Sequence, residues 1–165
     1  DGVLSSSGSP VSNTSGKYNC VYRGRETPYG HAFEWISDLL FHRLGSGTGD
    51  DPYISVAYYL PDPTKYTGAI TDDYIKLNYH PPGANGYVKK LGYDSRYPHV
   101  RFPAETSAST TSYYTDYYYS SNFAISGAYV GGSWASGMQG GPTCWSCGAD
   151  LASGGAYRRA RLSHL

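Results

Sequence analysis

The residues best suited to chemistry are two cysteines three positions apart, Cys144 and Cys147. Such a pair can hold zinc when two further Cys or His ligands lie close by, or exchange disulfides when it opens a helix after a strand. Cys20 and the five histidines stand at no spacing diagnostic of a metal site, and the Gly-Gly-Pro-Thr before Cys144 is a poor start for a redox helix. We therefore expect two cysteines within a loop, free or bridged, with zinc binding and redox chemistry as the alternatives.

Aspartates form a second group with chemical potential. Carboxylate oxygens suit calcium, and five of them stand in segments that read as turns: Asp50, Asp51, Asp62, Asp72 and Asp73. No Ser-His-Asp spacing and no phosphate-binding glycine loop is recognisable in the chain. We expect solvated turn aspartates, no metal site, no cofactor and no catalytic residue.

The composition favours a binding role and argues against two classes of partner. The formal net charge is zero and only 16% of the residues are charged, whereas nucleic acids select strongly basic surfaces. No apolar run approaches the roughly 20 residues that cross a bilayer. Tyrosine occurs 19 times and glycine 21 times among 165 residues. Tyr, Ser and Gly dominate adaptable binding loops, although a turn-rich all-β protein explains the same bias.

Strands must position these groups, because prolines and glycines interrupt every candidate for a long helix. Residues 1–17 read as an irregular arm, or the remnant of a longer chain, and one domain of residues 18–165 follows. The apolar run from Ala32 to Phe41 ends at a Gly/Asp/Pro cluster, after which residues 53–60 are mostly β-branched or aromatic. These two runs and their turn predict a β-hairpin.

Shorter strands complete the predicted domain. We expect them at residues 74–78 and 86–91, and a final strand at residues 157–162. No internal repeat is visible. The residue pattern alone therefore predicts a single domain rich in strands and loops, with little helix.

Three stretches resemble one protein family. Residues 30–38 resemble the Gly-Asn-Val-Trp-Glu-Trp signature of the formylglycine-generating-enzyme type of C-type lectin fold. Residues 22–30 resemble the Tyr-Arg-Gly-x-Glu-Asn-Pro-Tyr-Gly segment of one branch, the variable proteins of diversity-generating retroelements. Gly-Gly-Ser-Trp at 131–134, followed by Ala-Arg-Leu at 160–162, resembles the frame of that branch's variable region. The resemblance implies an α+β, C-type lectin-like fold with mostly short antiparallel strands, long loops and one or two short helices.

The resemblance also implies a function. In this branch, error-prone reverse transcription rewrites adenine-containing codons inside the frame, so that a stable scaffold displays a hypervariable surface. We expect a variable region at about residues 131–162, supported by burial of Phe33, Trp35, Leu39 and Trp134. Each large buried side chain contributes about 1.5–3 kcal/mol to stability, so outward-facing residues can change without unfolding the domain.

The residues predicted to contact the ligand lie inside the variable region, flanked by the tyrosines at 117–119. No Glu-Pro-Asn or Gln-Pro-Asp motif for calcium-dependent sugar binding is present. The predicted ligand contacts are Ala135, Ser136, Gln139, Trp145, Ser146, Gly148, Ala149, Ser153, Gly155 and Tyr157.

The resemblance includes enzymes, but their reactive residues are not matched. Formylglycine-generating enzymes carry two cysteines just after the Gly-Gly-Ser pair, where this chain has Ser136 and Gly141. We expect a binding protein, not an enzyme, at a cell surface, secreted or on a virion. Its expected partner is a protein or glycan on another cell or virus, with no nucleic acid and no membrane insertion by this segment. The alternatives are a fixed-specificity surface or virion adhesin of the same fold, and a thiol- or metal-dependent enzyme using Cys144 and Cys147.

Overall fold

A computed structural model describes residues 32–51, 53–120, 123–133 and 135–152, together with the backbone of five two-residue strands outside these ranges. The strands, in chain order, are β1 (Val3–Leu4), β2 (Pro10–Val11), β3 (Val21–Tyr22), β4 (Arg25–Glu26), β5 (Phe33–Leu44), β6 (Ile54–Tyr59), β7 (Ile75–Lys76), β8 (Gly86–Tyr87), β9 (Lys90–Tyr93), β10 (Arg101–Glu105), β11 (Tyr117–Tyr119), β12 (Ile125–Val130), β13 (Trp145–Ala149) and β14 (Arg158–Arg159). Helix in the described residues is confined to two single-turn 3-10 helices, Pro63–Lys65 and Gly137–Gln139. The prediction of a mostly stranded, loop-rich chain with very little helix is confirmed.

The predicted hairpin is formed by β5 and β6. The two strands pair antiparallel from Leu44 opposite Ile54 to Leu39 opposite Tyr59. The turn between them needs glycine, because Gly45 has a φ of 89°, a left-handed value that side chains with a Cβ disfavour. The Asp51 carboxylate closes this turn by accepting a hydrogen bond from the backbone N–H of Ser46 at 2.8 Å.

Eight strands form the main sheet, in the order β7-β6-β5-β12-β13-β11-β8, with β14 paired parallel to the start of β5. Its neighbours are otherwise antiparallel, except that β11 and β13 run parallel. The predicted strands at 74–78 and 86–91 contain β7 and β8, and the predicted closing strand contains β14. The order matters for function, because it makes β8, β11 and β13 neighbours although they are far apart in sequence.

The main hydrophobic core lies on one face of this sheet. Its largest buried members include Leu39, Phe41, Phe102, Tyr118 and Trp145. A smaller cluster of Leu40, Leu60 and Tyr74 forms a second core. Successive residues of a strand point to opposite faces, which explains why the neighbours Leu39 and Leu40 belong to different clusters.

The four residues expected to support the variable region have different outcomes. Leu39 is buried, as predicted, with 3% of its surface exposed. Phe33 and Trp35 are only half-buried, and the Trp35 ring packs edge-on against Tyr129 with ring centroids 4.7 Å apart. Trp134 lies outside the described residues.

Candidate ligand-binding site

Strand alternation divides the residues of β13 between the core and the opposite face of the sheet. Trp145 and Cys147 are buried in the main core, while Ser146 and Gly148 are half-buried. On the parallel neighbour β11, Tyr118 pairs with Trp145 and Tyr119 pairs with Ser146. Paired residues of adjacent strands point to the same face, so Tyr119 and Ser146 come together on the face away from the main core.

A surface cleft of about 250 Å³ opens at this place. Two of its lining residues belong to the predicted variable region, and the others come from three distant parts of the chain. The lining residues are Phe33, Asn85, Tyr119, Ser120, Ser146 and Gly148. These side chains combine apolar ring surface with neutral hydrogen-bonding groups, and none carries a charge.

One wall of the cleft is held by hydrogen bonds of Asn85. Its Oδ1 accepts hydrogen bonds from the backbone N–H of Ser120 at 2.7 Å and from the Ser120 hydroxyl at 2.9 Å. A backbone N–H can only donate, so the amide oxygen must face Ser120. The orientation of the Asn85 amide is thereby determined, and its NH₂ group is directed away from this pair of donors.

Tyr119 forms part of a second wall of the cleft. The Tyr119 hydroxyl donates a hydrogen bond to Oε1 of Gln139 at 2.7 Å. Burial, and after it the neighbouring Cys144 and Tyr117, raises the pKa of Tyr119 to about 12. Tyr119 is therefore a neutral hydroxyl at physiological pH. Gln139, a predicted ligand contact, lies beside the cleft as a positioning partner of this tyrosine.

Three tyrosine rings extend the surface beyond the cleft. Tyr117 packs against Tyr119 with centroids 4.8 Å apart and against Tyr87, on β8, with centroids 4.9 Å apart. All three are half-buried. The prediction that Tyr118 also flanks the binding surface is wrong, because its side chain is fully buried in the core and its hydroxyl donates to the Pro82 carbonyl at 3.0 Å.

The loop between β12 and β13 carries two further predicted contacts, Ala135 and Ser136. Ala135 is exposed, whereas Ser136 is half-buried and its Oγ accepts a hydrogen bond from the backbone N–H of Ser133 at 2.9 Å. Ser136 therefore stabilises the turn that follows the Gly-Gly pair. Neither residue lines the cleft.

The same loop is fixed to β11 by the buried Asp116. Its carboxylate accepts hydrogen bonds from the backbone N–H of Thr143 at 2.7 Å and from the Thr143 hydroxyl. Gly141 lies so close that a Cβ atom there would be 2.7 Å from the Asp116 carboxyl carbon. At the start of the loop, Gly132 has a φ of 72° and a Cβ there would be 2.6 Å from the Cα of Gly140. Glycines and one aspartate thus determine the backbone of this segment.

The prediction that Trp145 contacts the ligand is wrong, because its side chain is buried in the main core. Only 7% of its surface is exposed, and its ring packs against Phe102 with centroids 6.2 Å apart. It belongs to the core because β13 directs it to the same face as Cys147. Ala149 is the last residue of β13. Ser153, Gly155 and Tyr157 lie outside the described residues.

Of the two cysteines predicted to lie in a loop, Cys147 lies on β13 instead, and both are buried. Both side chains have 0% exposure and both thiols are free. Cys147 packs in the main core, and the Cys144 sulfur lies near Gly132, 3.5 Å from where its Cβ would be. Cys144 stands directly before β13 and Cys147 lies within it.

Burial also suppresses the reactivity of these thiols. It raises the pKa of Cys144 to about 12, with the Asp116 carboxylate adding to the effect. Burial likewise raises the pKa of Cys147. Thiolates are the reactive and metal-binding form, and burial disfavours that form of both side chains. Within the described part of the chain, no three or more His, Cys, Asp or Glu side chains are grouped closely enough to hold a metal ion.

The turn aspartates act locally. Asp62 caps the first 3-10 helix by accepting hydrogen bonds from the backbone N–H and hydroxyl of Thr64. Asp73 pairs with Lys65 at 2.5 Å. Both aspartates are exposed, which agrees with their interpretation as turn residues.

No family model matches this chain, and neither does any curated protein or solved structure. Among the described residues there is no helix with the length and apolar character needed to cross a membrane.

Sequence reasoning missed two polar residues of the cleft, Asn85 and Ser120, and the role of Phe33 as a wall. Asn85 stands beside a short strand with no motif around it, and nothing local marks it as a site residue. Only the pairing of β8 with β11, which places Tyr87 opposite Tyr117, brings it to the cleft.

Proposed function

We propose that this chain is a ligand-binding protein that displays a hypervariable surface on a stable C-type lectin-like scaffold. The variable positions, in residues 131–162, would be rewritten by retroelement mutagenesis, as the sequence resemblance implies. The observation that supports the proposal most is the cleft, where Ser146 and Gly148 from this segment meet Asn85 and Tyr119 from outside it. The proposed ligand is a protein or glycan on another cell or virus. The binding protein itself would be located at a cell surface, secreted, or carried on a virion.

The backbone around Ser146 is held independently of its side chain, which suits a diversified position. Its strand β13 is hydrogen-bonded on both sides, to β12 and to β11, and its neighbours Trp145 and Cys147 are anchored in the core. The Ser146 hydroxyl forms no hydrogen bond with other described residues. A different side chain there alters the cleft without removing a contact that holds the fold.

The surrounding loop is supported in the same way by residues that need not vary. Asp116, Gly132 and Gly141 determine the path of the chain from β12 to β13. Because these residues hold the backbone, exposed or cleft-lining side chains without a structural contact, such as those of Ala135 and Ser146, can differ in sequence. This separation of scaffold from surface is what a diversified binding protein requires.

The decisive test is the DNA around the gene. We expect a near-copy of the segment encoding residues 131–162, with its differences confined to adenines of the copy and a reverse transcriptase gene beside it. The differing codons would identify the variable residues directly, and codon 146 should be among them. Absence of any such copy in the complete genome would refute diversification and leave a binding protein of fixed specificity.

One observation favours that second candidate, a fixed-specificity adhesin. A Cβ atom at Gly148 would lie 3.0 Å from the carbonyl oxygen of Ser120, and Gln139 is committed to Tyr119. These two predicted positions therefore tolerate fewer side chains than Ser146 does. Alternative alleles that differ at position 146 but not at 139 or 148 would agree with diversification restricted to the unconstrained positions.

A further inference from the structure

The cleft has the chemical character of a site for a neutral ligand. The six residues that line it are Phe33, Asn85, Tyr119, Ser120, Ser146 and Gly148, and none of them bears a charge. A charged ligand would lose hydration on entering and find no counter-charge among these groups. An uncharged ligand with hydroxyl groups exchanges water hydrogen bonds for those of Asn and Ser side chains at much smaller cost.

The volume of the cleft and its aromatic walls restrict the class of neutral ligands further. A volume of about 250 Å³ is below the roughly 300–1,000 Å³ typical of pockets for drug-sized ligands, and so suits a single ring. Phe33 and Tyr119 offer apolar ring surface beside polar groups. A ligand with an apolar C–H face and a hydroxyl-bearing edge matches that arrangement, and a pyranose ring has both.

Asn85 supplies a donor whose direction does not depend on the variable region. Its Oδ1 is occupied by two donors from Ser120, at 2.7 Å and 2.9 Å. Its NH₂ group makes no hydrogen bond with the described residues, although the residue lines the cleft. The two N–H bonds are therefore available to an acceptor oxygen on a ligand.

We infer that the cleft binds one sugar residue of a glycan, and that Asn85 is a fixed donor to a hydroxyl oxygen of that sugar. The inference rests on the proposed function for the role of Ser146, which adds an exchangeable polar contact within the same cleft. Further sugar residues would extend along the ring row of Tyr119, Tyr117 and Tyr87. The site thus combines one constant contact with one that differs between variants.

The test is a titration of the ¹⁵N-labelled protein with four methyl glycosides, those of glucose, mannose, galactose and N-acetylglucosamine, in the presence of EDTA. At least one glycoside should cause saturable shifts of the Asn85 side-chain amide signals at millimolar concentration. Methyl glucuronide, which carries a carboxylate, should bind more weakly than methyl glucoside. Absence of saturable shifts with all four glycosides, or shifts located only elsewhere, would overturn the inference.

Asn85→Asp separates a ligand-binding role from a structural one. Aspartate retains an oxygen that accepts from Ser120, so the wall remains, but it has no N–H to donate. We expect the affinity for the glycoside to fall at least about tenfold without a lower melting temperature. Gly49→Asp is the matched control, because it adds the same charge at an exposed turn where a Cβ meets nothing within 4 Å. Unchanged affinity in Asn85→Asp would refute the donor role, and the wild-type titration decides the location of the site even if this variant is unstable.

The outcomes distinguish this inference from the proposed function. A retroelement template copy together with no glycoside binding would refute the sugar site and leave the diversified binding protein standing. Glycoside binding at Asn85 without a template copy would support the sugar site and refute diversification.

Discussion

Replacing Gly141 with alanine tests whether the loop before β13 is anchored by Asp116. The added Cβ would lie 2.7 Å from the Asp116 carboxyl carbon, well inside van der Waals contact. The carboxylate cannot simply turn away, because it is buried and holds the backbone N–H and hydroxyl of Thr143. The substitution must therefore strain the packing and also weaken at least one of those hydrogen bonds.

The expected loss of stability is the sum of three contributions. Overpacking a well-packed site costs about 1–3 kcal/mol, and losing a hydrogen bond to a charged group costs about 1.5–3 kcal/mol. Alanine also restricts the unfolded chain, which offsets about 0.4–1 kcal/mol. We expect Gly141→Ala to lower the free energy of unfolding by about 2–5 kcal/mol. At about 2–4 °C per kcal/mol for a protein of this size, the melting temperature should fall by about 4–20 °C.

The assay is urea unfolding followed by circular dichroism, with thermal unfolding as the second measurement. Gly49→Ala is the matched control, since a Cβ there meets nothing within 4 Å and its stability should be unchanged or slightly higher. Both substitutions remove the same glycine flexibility, so their difference reports the contact with Asp116. A Gly141→Ala variant within about 0.5 kcal/mol of wild type would refute the proposed anchoring.

Three further predictions concern the cleft, the thiols and pH. Ser146→Asn should leave the free energy of unfolding within about 0.5 kcal/mol of wild type, because the half-buried hydroxyl forms no hydrogen bond with described residues; a larger loss in urea unfolding would argue against a display position. In a Cys20→Ser variant, which removes the third cysteine of the chain, Cys144 and Cys147 should react with Ellman's reagent at about pH 8 only after unfolding, because burial raises the pKa of both thiols; rapid reaction of this folded variant would contradict their burial. Asp94→Asn should destabilise the protein at neutral pH, because hydrogen bonds from Arg96 and two backbone N–H groups hold the pKa of Asp94 well below its ordinary value. The stabilisation by the carboxylate is fully present above the unfolded pKa of about 3.9 and is lost as pH falls towards the folded pKa, so the stabilities of the two proteins should converge in acid, and parallel curves would exclude this linkage.

Local features were readable from the sequence. The hairpin of β5 and β6 follows from two apolar runs and a Gly/Asp/Pro turn between them, and all of that information lies within about 30 neighbouring positions. Leu39 is buried because it belongs to the most apolar run of the chain. Prolines and glycines recur at short intervals, and this was enough to predict a chain with very little helix.

The sequence did not indicate which side chains of a strand face the core and which face the cleft. Trp145 was predicted as a ligand contact because it lies in the predicted variable region, yet it is buried, while its neighbour Ser146 lines the cleft. A strand alternates between faces with a period of two, so a segment identified only by its ends leaves the choice between odd and even positions open. The same alternation places Tyr118 in the core, whereas Tyr117 and Tyr119 lie outside it.

The sequence by itself determined the main hairpin of β5 and β6, the positions of β7, β8 and β14, and the segment from which the cleft takes Ser146 and Gly148. Tertiary structure alone decided that Asn85 and Tyr119 join them, that Cys144 and Cys147 are buried as free thiols, and that Asp116 supports the loop. The physical reason is that strand propensity and turn chemistry act between neighbours in sequence, whereas the order β13-β11-β8 arises from backbone hydrogen bonds between distant segments. The meeting of those strands produces the cleft.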